Sequence, residues 1–268
     1  MVHPNEVKWI SQSSGKTDKV DARKMAPLAR GNLLRRPVHV VEGKTRELRE
    51  LVSARGQLQS KRVALINTVR GYMKQEGVSL PEKFFQRLDW KSALGGQILG
   101  GTQKLIVKSF MDGIEAVERS EEEITEKMIE IQDGRCELLE TIPAIGKIAS
   151  RVLVSALDEA GRFDNKRCVA NYGGLAPTIY QSGGTTKLGR INRDGRQEVR
   201  KVLLQCAHTI QRMVSRDAAP VKEFFERIEK RRGKKRAVVA TARKLLTIAY
   251  GVLKSGVPYD PMRLCAFA

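Results

Sequence analysis

Ser182 precedes two glycines, Gly183 and Gly184, at the end of the run Tyr172-Gly173-Gly174-Leu175-Ala176-Pro177-Thr178-Ile179-Tyr180-Gln181-Ser182. With no Cβ on the next two residues, the backbone is free to present the serine hydroxyl. Lys187, Arg190, Arg193, Arg196, Arg200 and Lys201 follow directly, opposed by Asp194 and Glu198 alone. A hydroxyl beside such cations is what attack on a phosphodiester needs, because they draw in the phosphate and stabilise the charge gathering on its oxygens. The same residues also suit a Gly-Ser surface loop beside a solvated basic helix.

A second candidate is Gly15-Lys16-Thr17-Asp18-Lys19-Val20-Asp21-Ala22-Arg23. On a helix, Asp18 and Asp21 share a face, and two oxygen donors on one face suit Mg²⁺. An N-cap Asp followed by a first-turn Asp has the same spacing, and spacing alone favours that capping role. A third is Ile142-Pro143-Ala144-Ile145-Gly146-Lys147, a tight turn between two helical patterns that resembles a helix-hairpin-helix. Free backbone N–H groups at Gly146 and Lys147 can face a phosphate or serve packing only. Lys230-Arg231-Arg232-Gly233-Lys234-Lys235-Arg236 reads as a solvated basic loop able to touch phosphates.

Long helices must carry these segments. Leu48, Leu51, Arg55, Leu58, Arg62, Leu65, Val69 and Tyr72 alternate three and four apart, a heptad seam over Lys44–Glu76 that stops at Gly77. Ile106, Phe110, Ile114, Val117, Glu121, Ile124, Met128 and Ile131 form a second seam, from Gly100-Gly101 to Asp133-Gly134. Together they predict an antiparallel helical hairpin. Arg55 and Arg62 in the seam favour a coiled-coil arm that carries a second subunit or nucleic acid, because a buried guanidinium needs an anion. A shorter helix is expected over Lys19–Arg30. A turn-rich stretch is expected over Tyr172–Gly195, and helices at Val199–Val214, Lys222–Arg232 and Val238–Lys254.

The chain has 268 residues with 49 Lys and Arg against 30 Asp and Glu, a formal net charge of +19 and a pI of about 10.0. That charge disfavours an ordinary metabolic enzyme and suits a polyanion. Nucleic acid is preferred to a membrane surface, since no helix sets a basic face against a Trp/Phe/Leu face. No apolar run reaches the roughly 18 residues of a bilayer span, and the N-terminal residues lack the pattern of a signal peptide. Cys136, Cys168, Cys206 and Cys265 match no zinc or disulfide spacing and read as reduced, buried residues. His3, His39 and His208 are scattered and suggest no imidazole metal site.

Taken in order, these segments resemble one family. Lys16-Thr17-Asp18-Lys19-Val20-Asp21-Ala22 is similar to the K-T-D-x-x-D-A signature of the DEDD transposases of the insertion-sequence one-ten group, the bridge-RNA-guided recombinases of bacterial mobile elements. Ile142-Pro143, Tyr172-Gly173-Gly174-Leu175-Ala176-Pro177, Gln181-Ser182-Gly183 and Ile191-Asn192-Arg193-Asp194-Gly195 resemble that family's C-terminal domain. The resemblance implies a mainly α chain: a C-terminal remnant of a RuvC-like α/β domain over 1–38, a coiled-coil region over 39–134, and a helical transposase domain with a helix-hairpin-helix-like turn over 135–268. It implies that Ser182 is the nucleophile that joins covalently to DNA. Asp18 and Asp21 become the third and fourth members of a Mg²⁺-binding Asp-Glu-Asp-Asp tetrad. Gly146, Lys147, Lys187, Arg190, Arg193, Arg196 and Arg200 become contacts to nucleic acid. Implied partners are DNA, a structured guide RNA and further copies of the chain through the coiled coil, in a bacterial cytoplasm at the nucleoid and without a membrane. The family's first Asp and its Glu lie upstream of the signature, whereas Glu6 is the one acidic residue before Lys16. The expectation is therefore an N-terminally truncated chain with weak or absent Mg²⁺ binding. The alternatives are a non-catalytic nucleic-acid-binding remnant and a basic helical scaffold.

Overall fold

The computed structural model describes residues 17–31, 33, 38–96, 100–182, 185–192 and 195–262, with Ser182, Thr186, Lys187 and Leu188 described by backbone alone. Two compact units emerge, Met1–Glu42 and Gly43–Ala268. The first holds helix α1 (Asp18–Arg30), none of whose residues is buried.

In the second unit, α2 (Gly43–Gln75) and α4 (Gly101–Glu130) are the two expected long helices. At 1.5 Å per residue they are roughly 50 and 45 Å long. Gly77, at φ +79°, ends α2 in a Schellman motif: its N–H donates to Lys74 O and that of Val78 to Met73 O. The helices run antiparallel, since Arg55 meets Glu121 (3.0 Å) while Arg62 meets Glu118 (2.7 Å). The Nε of Arg55 also donates to Thr125 Oγ1, and Gln59 donates to Glu121. This corrects the expectation drawn from the seam arginines. Their anions come from the facing helix, so they need neither nucleic acid nor a second subunit to be satisfied. A double-mutant cycle on Arg62 and Glu118, each replaced by Met, is expected to give a coupling of about 0.5–1 kcal/mol in denaturant melts, as befits a partly exposed pair. Zero coupling would show that the pair does not hold the hairpin.

The far end of the hairpin is sealed by a small apolar cluster of its own. Phe84 and Phe85, on a short 3-10 turn, and Trp90 and Leu94, on α3 (Trp90–Gly95), pack over Val69, Met73, Val107 and Ile114. At the near end, Leu48, Val52 and Met128 join the main core. That core is built by α5 (Gly134–Glu140), α6 (Lys147–Leu157), α7 (Lys166–Tyr172), α8 (Gln197–Ile210), α9 (Ala219–Arg232) and α10 (Lys234–Ser255). α6 is buried from Ala149 to Leu157 and α10 brings in Ala242, Leu245, Leu246 and Ala249. Each such large apolar side chain contributes about 1.5–3 kcal/mol. The basic run at Lys230 is a helical corner, not a loop: α9 ends at Arg232, Gly233 turns at φ +80°, and α10 begins at Lys234. Cys136 and Cys206 are buried, and burial pushes both thiols up to about 11. Cys168 is exposed, against expectation, and Cys265 lies outside the described residues.

The stretch expected to be turn-rich contains an antiparallel β hairpin, β1 (Pro177–Ser182) with β2 (Thr185–Ile191). Thr178, Ile179, Tyr180, Thr185, Thr186 and Ile191 are strand formers, and a Gly-Gly pair between two such runs is a hairpin signal.

Candidate functional site

Ser182 closes β1, paired with Thr185 across the hairpin. It lies five residue steps along the strand from Pro177, roughly 17 Å from the hairpin base. Ile179, Tyr180, Gln181 and Arg190 are exposed. The strands make their main contacts with each other, and an isolated two-stranded hairpin is marginal in water. Its position must therefore be set at the base. There Asn192 N–H donates to Ala176 O, its side chain to Asn171 Oδ1 (3.2 Å), and Arg196 N–H to Tyr172 O (2.8 Å). Gly195 lies directly on Gly174, which turns at φ +64°. A knot of backbone thus fixes the root of the strand that ends at Ser182.

The basic residues after the hairpin divide. Arg190 projects from β2 to solvent. Lys187 faces Tyr180 in the register. Arg200 is half-buried, its Nη1 aimed at Asn192 O (3.5 Å), and so braces the knot. Arg196 donates through Nε to the Tyr172 hydroxyl at 3.2 Å. Arg193 lies outside the described residues.

Gly146 and Lys147 are exposed at the start of α6, as the turn motif predicts. Ala144 adopts φ +67° to make the corner. Behind the turn, Glu140 accepts from Ser150 Oγ (2.8 Å) and pairs with Arg151, which also donates to Ile129 O and ties the turn to the end of α4. Gly146 and Lys147 open onto a cavity of about 1120 Å³ between α2, α6 and α8. Its floor is apolar, with Val52, Ala149 and Val202, and Lys61, Lys147 and Lys201 stand at its edge. A lysine at a helix N-terminus opposes the helix dipole and is eased by an anion.

In the first unit, Thr17 and not an aspartate caps α1, its Oγ1 accepting from Val20 N at 3.3 Å. Asp18 and Asp21 are left in the first turn, and Asp21 Oδ1 is shielded without a hydrogen-bond partner among the described residues. An orphaned carboxylate oxygen fits a hard divalent cation. Among the described residues no group of three or more His, Cys, Asp or Glu side chains could hold a metal, so this pair offers part of a shell.

Two side chains absent from the sequence reading, Arg49 from α2 and Arg162, meet Tyr172 beside Arg196. The Arg162 guanidinium lies 4.0 Å from the Phe163 ring and 4.7 Å from that of Tyr172. Arg49 donates to Ser155 O (2.9 Å) and Arg162 to Ala156 O and Leu157 O, carbonyls at the C-terminal end of α6. Burial and then the neighbouring Arg196 hold the Arg49 guanidinium below its ordinary pKa. Burial alone would raise the Tyr172 phenol, but Arg196, Arg162 and Arg49 bring it below its ordinary value.

Residues 136–224 match the transposase model of the IS116/IS110/IS902 family, and residues 1–77 match the IS110-type DEDD transposase model. The chain belongs to the IS110 family of transposases. It is 25% identical over 265 residues to the transposase for insertion sequence element IS1111A of Coxiella burnetii, covering 94% of this chain and 70% of that one. It is 36% identical over 129 residues to the pilin gene-inverting protein of Moraxella bovis, covering 47% and 39%. The IS1328 transposase of Yersinia enterocolitica is 27% identical over 146 residues, covering 54% and 43%. In IS110-family terms, the hairpin, its knot, Tyr172 and the α5–α6 turn all fall inside one matched segment, and Asp18, Asp21 and Arg49 inside the other. Among the described residues, no helix is long and apolar enough to cross a membrane.

Proposed function

We propose that this chain catalyses DNA strand exchange, with Ser182 as the nucleophile. Its Oγ bonds to the scissile phosphorus, the bond from phosphorus to the leaving deoxyribose oxygen breaks, and that oxygen takes up the serine proton. The phosphodiester becomes a serine phosphodiester. Attack by the hydroxyl of a partner strand then rejoins DNA and restores the serine, with no net loss of phosphoester bonds. Asp18 and Asp21 would hold Mg²⁺ together with further donors, and the ion would supply charge neutralisation at phosphate oxygens. Lys187, Arg190, Arg193 and Arg196 hold the backbone near the hairpin, and Gly146 and Lys147 bind it at the α5–α6 turn. A structured guide RNA selects the DNA, and the α2–α4 hairpin brings copies of the chain together. The work is done in the bacterial cytoplasm, at the nucleoid.

The observation that carries this reading is the position of Ser182 at the outer end of a hairpin whose root is locked beside Arg196. A nucleophile on a thin projection can reach a phosphate between two strands, while its root keeps register with the cations. The Moraxella bovis relative is by name a gene-inverting protein, and inversion of a DNA segment is itself strand exchange.

The test is to incubate the protein with labelled DNA and Mg²⁺, denature, digest with trypsin and map the nucleotide-bearing peptide. The label is expected on Cys168–Lys187, localised to Ser182 by fragmentation. A label on Tyr172, Thr178, Tyr180 or another hydroxyl, or no covalent label, overturns the assignment.

A further inference from the structure

We propose that Arg49, Arg162 and Arg196, gathered around Tyr172, form a seat for one backbone phosphate of the DNA strand, at the root of the hairpin. The proposal rests on the reading above that DNA is handled at that hairpin, and adds where the strand is gripped.

The argument starts from charge. Three guanidiniums meet in a half-buried place, and among the described residues none of them forms an ion pair with a carboxylate. Asp158 is held by Arg135 at 3.2 Å. Glu198 lines the same small cavity as Arg49 and Arg196 but lies beyond ion-pair distance of either. What satisfies Arg49 and Arg162 are carbonyls at the α6 C-terminus, which carry only partial charge. Like charges so arranged repel, and screening is weak away from solvent. The Tyr172 phenol, brought below its ordinary value by Arg196, Arg162 and Arg49 against the effect of its burial, is a sign of this positive field.

Geometry makes the seat specific. Arg162 lies against the Phe163 and Tyr172 rings, which themselves meet edge to face at 5.3 Å, so its guanidinium is held beside both. Arg196 is fixed by the Tyr172 hydroxyl and by its own backbone N–H on Tyr172 O. Both Nη atoms of Arg196, and Nη1 of Arg49 and of Arg162, have no hydrogen bond to another described residue, leaving fork donors open for oxyanions. A cavity of about 40 Å³ lies between Arg49, Arg196 and Ser155, room for phosphate oxygens and not for a base. The seat joins α2, α6, α7 and α8, so a strand gripped there is aligned with the whole unit.

The experiment measures affinity of the full chain for a labelled DNA duplex by fluorescence anisotropy over a range of KCl. Arg49→Gln, Arg162→Gln and Arg196→Gln are compared with Arg119→Gln, an exposed arginine on α4. Losing one phosphate contact lowers the slope of log affinity against log salt by about 1. Each seat variant is expected to approach that loss, and Arg49→Gln combined with Arg196→Gln to lose no more than either alone, because they share one phosphate. Arg196→Lys should keep the slope. In the unmutated chain, DNA should raise the phenol titration followed at 295 nm, and Tyr172→Phe should remove that response. This second measurement does not depend on the arginine variants folding. Slopes equal to wild type, losses that add, losses matched by Arg119→Gln, or a phenol indifferent to DNA each overturn the seat. A seat that fails while Ser182 still forms its adduct leaves the strand-exchange reading standing. Slopes that respond while no adduct forms do the reverse.

Discussion

Ser182→Ala is expected to abolish the covalent protein–DNA species and to leave DNA binding within about twofold of wild type. The substitution removes one oxygen at the outer end of β1, while the Gly195 knot lies at the root of the hairpin. The β1–β2 register is carried by backbone hydrogen bonds, which alanine keeps. With those backbone bonds kept, stability should change by no more than about 0.5 kcal/mol. The chemical loss is of another order, because no other group can form the bond that serine forms. Deleting a nucleophile elsewhere costs roughly 10⁴–10⁶-fold, which here means no adduct detectable on a denaturing gel. Ser182→Cys supplies a control, since a thiol can attack the same phosphorus from almost the same position. An adduct formed by Ser182→Ala at the wild-type rate would move the nucleophile to another residue. Loss of DNA affinity in step with the adduct would instead make Ser182 a binding residue.

The helices were legible because each rule behind them is local. The two heptad patterns give α2 and α4 to within a residue or two, and Gly77 ends α2 through the conformation for which glycine is suited. The β hairpin was equally local, since a Gly-Gly pair between runs of Thr, Ile and Tyr is a known signal. It was obscured by reading the glycines as freedom for Ser182 and not as a turn between paired strands. Arg55 and Arg62 show a different failure. Their charge was read correctly as needing an anion, but which anion depends on how α4 is set against α2. Glu121 was itself visible in the second seam, so the pairing could have been found by laying the seams antiparallel. No such signal exists for Arg49. It stands on the long helix α2, more than a hundred residues before Tyr172, and only the packing of α2 against α6 and α8 brings the two together. Cys168 looked like a core residue by type, yet it falls on the outer side of the short helix α7, where capping by Asn165 sets the phase.

Gly195→Ala tests whether the root of the hairpin controls what its tip does. A Cβ on residue 195 would stand 2.2 Å from Gly174 N, 2.5 Å from Gly174 Cα and 2.7 Å from Tyr172 O. All three are backbone atoms, so no rotamer change can relieve the collision. The residues they belong to are also tied in: Tyr172 O accepts from Arg196 N–H, and Gly174 N–H donates to Asn171 O. Gly189 is the instructive contrast. A Cβ there meets the edge of the exposed Tyr180 ring at 2.8 Å, and a ring in solvent can swing aside. Overpacking in a well-packed site costs about 1–3 kcal/mol when side chains can adjust. Collision with fixed backbone should exceed that, to about 4 kcal/mol or more for Gly195→Ala and less than about 1 kcal/mol for Gly189→Ala. The clash is relieved most cheaply if the 192–196 segment lifts off Gly174 and carries Arg196 away from Tyr172. The expected signature is then a chain that keeps its helical circular dichroism at low temperature, melts well below wild type and forms no Ser182 adduct. Its Tyr172 phenol should titrate closer to an ordinary tyrosine, because the largest of its cationic neighbours has moved. A Gly195→Ala protein with wild-type melting and full adduct formation would mean that the two glycines are not in contact, and that something other than this knot orients the hairpin.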